Sequence, residues 1–199
     1  MTGDVPAPGD FDGDGKTDLT VYRPSNGVWY ILQSGTSFAT AVTFQWGLSS
    51  DVPVPGDYDG DGVTDLAVYR PSTGEWFIRQ STTNSATSVS FQWGLAGDIT
   101  VPGDYDGDGT TDLAVYRPST GTWYIRLSRT HFTSFATYQW GLNTDIPVAG
   151  DYDGDGRTDV AVYRASNGVW YLLKSSTNFT TFDAVPLGQP DDIPILKRP

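Results

Sequence analysis

Cysteine is absent from the 199 residues, which excludes disulfides, thiolate zinc sites and cysteine nucleophiles together. Histidine and methionine each occur once, so a soft or imidazole-based metal site has almost no ligands to draw on. Long apolar runs are also missing: nothing approaches the ~20 residues of a membrane-spanning helix. The opening MTGDVPAPGD lacks the basic and apolar regions of a signal peptide, so the chain is read as cytoplasmic or as lacking its leader. Positive charge is scarce, with 12 Lys and Arg against 24 Asp and Glu, a net charge of −12. Such a chain repels phosphate backbones and anionic lipid, which argues against nucleic acid and membrane insertion and in favour of cations as partners.

What is present points to short strands and tight turns. Aromatic residues make up 14% of the chain, with 23 Gly and 13 Pro, and no segment has the periodicity of a long amphipathic helix. Asp10, Asp57, Asp104 and Asp151 open near-identical stretches 47 residues apart, and Asp4, Asp51, Asp98, Asp145 and Asp192 keep the same step. The chain therefore reads as one domain over 1–199, with repeats at approximately 4–50, 51–97, 98–144 and 145–191 and an extra terminal strand at 192–196. A period in the forties without helical patterning predicts an all-β propeller of four-stranded antiparallel blades, because a lone blade cannot cover both of its faces.

In the second repeat the expected strands are Val52–Pro55, Leu66–Arg70, Glu75–Arg79 and Ser90–Gly94. Pro53 and Pro55 remove donors from the same side of the first strand, which suits a sheet edge such as the inner edge of a blade. Pro71, Ser72, Thr73 and Gly74 supply hairpin chemistry between the second and third strands. The last copy is degenerate: Val185–Gln189 stands where the others read FQWGL or YQWGL, as terminal repeats commonly do. Closing the blades removes exposed sheet edges, either as a four-bladed ring or as half of an eight-bladed homodimer.

Between the first two strands of each repeat lies DFDGDGKTD, DYDGDGVTD, DYDGDGTTD or DYDGDGRTD. Aspartates fall at loop positions 1, 3, 5 and 9, and Gly at position 6 permits a sharp turn. Alternate residues of a curled loop aim carboxylates at one centre, and the carbonyl of position 7 adds another oxygen, the donor set of a hard divalent cation. The expected ligands are Asp10, Asp12, Asp14, the Lys16 carbonyl and Asp18 in loop 1. They are Asp57, Asp59, Asp61, the Val63 carbonyl and Asp65 in loop 2. Loop 3 offers Asp104, Asp106, Asp108, the Thr110 carbonyl and Asp112, and loop 4 offers Asp151, Asp153, Asp155, the Arg157 carbonyl and Asp159. Residue 7 shares no side-chain chemistry among the copies, which supports a main-chain role. Flexible carboxylate-rich loops favour Ca2+ over magnesium, about one ion per repeat and four in total. Without a cation the clustered carboxylates repel one another.

The run VPVPGDYDGDGVTDLAVYRPSTGEW resembles the FG-GAP/VCBS type of propeller repeat, which integrin alpha subunits also carry with a D-x-D-x-D-G-x-x-D loop. The resemblance covers essentially the whole chain. It implies calcium at each loop and an extracellular or cell-surface setting. The literal Phe-Gly and Gly-Ala-Pro signatures are replaced here by Pro-Gly and Tyr-Arg-Pro, and family propellers commonly have more than four blades.

Of the 24 acidic residues, sixteen lie in the loops and five at repeat boundaries, leaving only Glu75, Asp183 and Asp191. His131 stands in a Ser/Thr-rich connection with no partner in sequence to tune it, so catalysis by this chain alone is not expected. Trp29, Trp76, Trp123 and Trp170, with a second series at Trp46, Trp93 and Trp140, suit packing between blades. The alternative is carbohydrate stacking, with Arg23, Arg70, Arg117 and Arg164 as polar contacts; the arginines otherwise suit stacking on Trp or pairing with boundary aspartates such as Asp51. The functional expectation is a calcium-binding structural or interaction module of a secreted or surface protein, with protein or carbohydrate as ligand. A lectin-like propeller and an accessory domain of a polysaccharide-active enzyme are the alternatives.

Overall fold

Burial along the second repeat explains its strands. Four consecutive residues of Leu66–Arg70 are buried, as in a strand covered on both faces. In Glu75–Arg79 burial alternates, with Trp76 and Ile78 turned inward, and the fourth strand is largely exposed.

The chain, represented by a computed structural model that describes residues 3–190 and 192–194, is all-β. Among the described residues sixteen strands form four antiparallel sheets of four, each in simple sequential order. The first sheet holds β1 (Val5–Pro6), β2 (Leu19–Arg23), β3 (Val28–Leu32) and β4 (Ala41–Gln45). The second holds β5 (Val52–Pro53), β6 (Leu66–Arg70), β7 (Glu75–Arg79) and β8 (Ser88–Gln92). The third holds β9 (Ile99–Thr100), β10 (Leu113–Arg117), β11 (Thr122–Arg126) and β12 (Phe135–Gln139). The fourth holds β13 (Ile146–Pro147), β14 (Val160–Arg164), β15 (Val169–Leu173) and β16 (Phe182–Pro186). Register repeats with the sequence: Tyr22 faces Trp29, Tyr69 faces Trp76, Tyr116 faces Trp123 and Tyr163 faces Trp170. Four such sheets at a 47-residue step are compatible with propeller blades.

Three expectations about strands change. The first strand of the second repeat stops at Pro53 and not at Pro55. Val54 still donates to the Ala67 carbonyl, but Pro55 has no N–H and the ladder resumes only as a bridge between Gly56 and Asp65. The fourth strand runs Ser88–Gln92 and not Ser90–Gly94, because the Trp93 N–H turns to the Gly74 carbonyl and Gly94 takes a φ of 136°. The extra strand expected at 192–196 does not form over Asp192–Pro194, and residues 195 and 196 lie outside the described residues. Each first strand of the four repeats pairs with the second strand of its own repeat.

The Ser/Thr-rich connection between third and fourth strands is more regular than its sequence. In every repeat it is a one-turn 3-10 helix, at Ser34–Thr36, Ser81–Thr83, Ser128–Thr130 and Ser175–Thr177. Two consecutive non-glycine residues in the left-handed region follow each turn, such as Asn84 (φ 52°) and Ser85 (φ 58°). The lone His131 occupies the first of these positions, exposed, and its N–H donates to the Ser128 carbonyl.

The chain divides into two compact units between Ala96 and Gly97. In the first unit Tyr22, Trp29 and Ile31 of the first sheet share a core with Leu66 and Val68 of the second. In the second unit Tyr116, Trp123 and Ile125 of the third sheet share one with Val160 and Val162 of the fourth.

Candidate metal centres in the aspartate loops

Each loop is curled by its own carboxylates. Asp10 accepts the N–H groups of Gly13 and Gly15, both at 2.8 Å, and Asp57, Asp104 and Asp151 do the same in their loops. These bonds need the chain to pass through positive φ at the glycines of positions 4 and 6. At position 9 Asp18, Asp65, Asp112 and Asp159 are fully buried. Each accepts two backbone N–H groups, from loop position 2 and from the first serine of the 3-10 turn.

Three carboxylates in each loop bring a ligand oxygen within 4.8 Å of one another. They are Asp10, Asp12 and Asp18 in loop 1, Asp57, Asp59 and Asp61 in loop 2, Asp104, Asp106 and Asp108 in loop 3, and Asp151, Asp153 and Asp159 in loop 4. The structure thus brings together the predicted carboxylates of positions 1 and 3 everywhere, while positions 5 and 9 exchange places in the converging group. The position-7 carbonyls of Lys16 and Thr110 each lie 3.4 Å from the turn serine hydroxyl.

The electrostatics fit a site built for a cation. Both oxygens of Asp106 are buried and lack a hydrogen-bond partner, the condition that a metal ion relieves. Burial, with Asp108 beside it, holds the Asp106 carboxyl above the usual carboxylate range. Burial pushes Asp65 and Asp112 up to about 6, against the N–H bonds they accept. The donors are all oxygens, so a hard cation fits and a soft one does not.

Comparison with known proteins agrees with this arrangement. A family model for the FG-GAP-like repeat matches residues 10–68 and 104–162. The chain belongs to this family. Each matched segment runs from the first aspartate of one loop through the next loop into the strand that follows it, and the two together cover more than half of the chain. FG-GAP-like repeats are structural repeat modules and not a known enzyme family. Among solved structures, the V. cholerae biofilm matrix protein Bap1 is similar at 20% identity, over 92% of this chain and 30% of that chain, with a TM-score of 0.33. No curated protein matches.

Two features of these FG-GAP-like repeats escape a reading of the loops alone, although both recur at the 47-residue step. Ser34, Ser81, Ser128 and Ser175 each donate a hydroxyl to the position-5 aspartate and an N–H to the position-9 aspartate, and so complete the wall of the site. Threonine at position 8 is the second. In the first unit the Asp10 N–H donates to Thr64 Oγ1 (3.0 Å) and the Thr64 N–H to the Asp10 carbonyl (2.7 Å), clasping loop 1 to loop 2. In the second unit the Thr158 N–H donates to the Asp104 carbonyl (2.6 Å).

The other predicted contact residues are occupied internally. Trp29, Trp76 and Trp123 have no exposed surface, and each indole N–H donates to the carbonyl of Trp46, Trp93 or Trp140. No sugar can stack on rings so enclosed; Trp170 alone is partly exposed, its N–H donating to Leu187 O. Arg23, Arg70, Arg117 and Arg164 each hold a boundary aspartate, Asp4, Asp51, Asp98 or Asp145, through two hydrogen bonds of 2.8–2.9 Å. Their stacking partners are Tyr30, Phe77, Tyr124 and Tyr171, 4.2–4.4 Å from the ring centroids, and not the tryptophans. In strand register the valine two residues before the arginine lies across from that Tyr or Phe, whereas Trp pairs with the Tyr that directly precedes the arginine.

Proposed function

We propose that the chain is a calcium-stabilised FG-GAP-like module whose loops each hold one Ca2+, and that it serves as a structural or interaction part of a secreted or surface protein. The observation that carries this is the convergence of three carboxylates in every loop, among them Asp106, whose two buried carboxylate oxygens accept no hydrogen bond. Positions 1, 3, 5 and 9 and the position-7 carbonyl would hold the ion. A bound dication neutralises charge that otherwise strains the loop, so it supplies folding free energy and not catalysis. Calcium-rich surroundings outside the cell keep such sites filled.

Propeller assembly belongs to the same reading. The two units act as one domain, giving a single unfolding transition, and closure within one chain gives the 21.6 kDa of a monomer in light scattering. Twice that mass would favour the paired ring. Among the described residues no helix is long and apolar enough to cross a membrane.

The test is thermal melting of the chelator-stripped chain with increasing calcium. A ligand that binds only folded chain contributes about 2.7 kcal/mol per site at a hundred times its Kd, so Tm rises steeply. A melting curve that does not respond to exhaustive chelation or to millimolar calcium defeats the proposal.

A further inference from the structure

The four loops differ at one place that bears on the ion. Position 7 is Lys16, Val63, Thr110 and Arg157 in loops 1 to 4. Lys16 Nζ lies 3.0 Å from Asp14 Oδ2. Arg157 Nε and Nη2 lie 3.1 and 3.0 Å from Asp155 Oδ2, and Nη2 also donates to the Ser175 carbonyl. Loops 2 and 3 have no charge at that position. The converging carboxylates divide in the same way. Position 5 belongs to the group in loops 2 and 3, and position 9 replaces it in loops 1 and 4. One position-5 oxygen accepts the same two bonds in every loop, from the position-7 N–H and the turn serine hydroxyl, and in loop 2 that hydroxyl also lies 3.0 Å from the second oxygen of Asp61. The position-7 side chain is therefore the variable that accompanies the change. Loop 3 has a nearby cation of its own, Arg129, which bonds the Asp106 carbonyl (2.5 Å) and lies 3.7 Å from Asp106 Oδ1. It is largely exposed and leaves Asp106 within the converging group.

We propose that the residue at position 7 sorts the loops into two affinity classes for a divalent cation, loops 2 and 3 tight and loops 1 and 4 weaker. In the weaker pair, Lys16 or Arg157 must surrender the position-5 carboxylate and then remain beside a dication. Each compact unit holds one loop of each class, so its metal load rises in two stages. This rests on the metal reading above. One unit charge a few ångströms from a dication in a well-solvated loop weakens binding by roughly tenfold.

Calorimetric titration of the full, chelator-stripped chain with calcium tests it. Two tight sites and two about tenfold weaker are expected, and the Lys16→Gln/Arg157→Gln variant should bring the weak class to within about threefold of the tight one. Val63→Lys should leave one tight site in place of two. Four indistinguishable sites in the unaltered chain would overturn the proposal, as would a weak class unmoved in the Gln variant while circular dichroism stays native. A folded chain that takes up no calcium at all refutes the metal reading itself.

Discussion

Arg70→Ala should be among the more damaging single substitutions away from the loops. Arg70 holds Asp51 through two hydrogen bonds of 2.9 Å, and the Asp51 side chain is fully buried while that of Arg70 is about a quarter exposed. Asp51 also accepts the Leu48 N–H, and the Leu48 carbonyl accepts the Tyr22 hydroxyl at 2.6 Å, so the pair ties the second sheet to the end of the first. Removing one partner of a buried pair costs about 3–5 kcal/mol, since the other charge stays behind without compensation. The partial exposure of Arg70 admits water and sets the expectation near the lower limit, about 3 kcal/mol. Loss of the guanidinium stacked 4.2 Å from the Phe77 ring adds about 0.5–1 kcal/mol. For a chain of this length that total lowers Tm by about 10 °C. Arg70→Lys keeps the charge but not the two-pronged geometry and should lose about half as much. Urea unfolding of both variants and of the Asp51→Ala/Arg70→Ala pair gives the coupling energy directly. A loss below about 1 kcal/mol for Arg70→Ala would mean the pair behaves as an ordinary exposed one and would refute the reasoning.

Further outcomes follow from the loops and turns. Burial raises the carboxyls of Asp65 and Asp112 to about 6 in the metal-free fold. Their contribution is full below the unfolded-state carboxylate pKa and lost as pH rises through about 6, so chelator-stripped protein should melt higher at pH 5 than at pH 7; added calcium should reverse the order, and the same order with and without calcium would contradict this. A Cβ at Gly74, where φ is 69°, would collide with the Gly94 carbonyl oxygen, whereas one at Gly62, where φ is 83°, meets nothing within 4 Å. Gly74→Ala should therefore cost about 3 kcal/mol or more in chemical denaturation and Gly62→Ala only about 1–2 kcal/mol, the left-handed penalty alone. Thr64→Val removes the acceptor of the Asp10 N–H and should cost about 1 kcal/mol, with faster amide exchange at Asp10 as the local sign.

Much of this architecture is legible in the sequence because a 47-residue period multiplies every weak signal by four. The strand pair Leu66–Arg70 and Glu75–Arg79 is found as read, since the turn chemistry of Pro71, Ser72, Thr73 and Gly74 marks it. Strand ends are less legible: Pro55 and Gly94 change the backbone one or two residues from where side-chain pattern alone would stop the ladder. The converging loops follow from Asp spacing, but whether position 5 or position 9 joins the group varies among the loops together with the charge of residue 7, a side chain that carries no ligand atom of its own. Ser81 and Thr64 lie outside the acidic pattern, and only their recurrence in register marks them, as the spatial closeness of a distant turn or neighbouring loop is not written in local sequence. The tryptophans read first as packing between blades, and only their burial removes the ligand-platform alternative for Trp29, Trp76 and Trp123.

Metal stoichiometry tests the central claim most directly. Native mass spectrometry of the folded chain at saturating calcium should show four Ca2+ per molecule, and Asp57→Ala/Asp59→Ala should reduce the count to three. A folded chain that carries none, or one whose count is unchanged by emptying loop 2, contradicts the account.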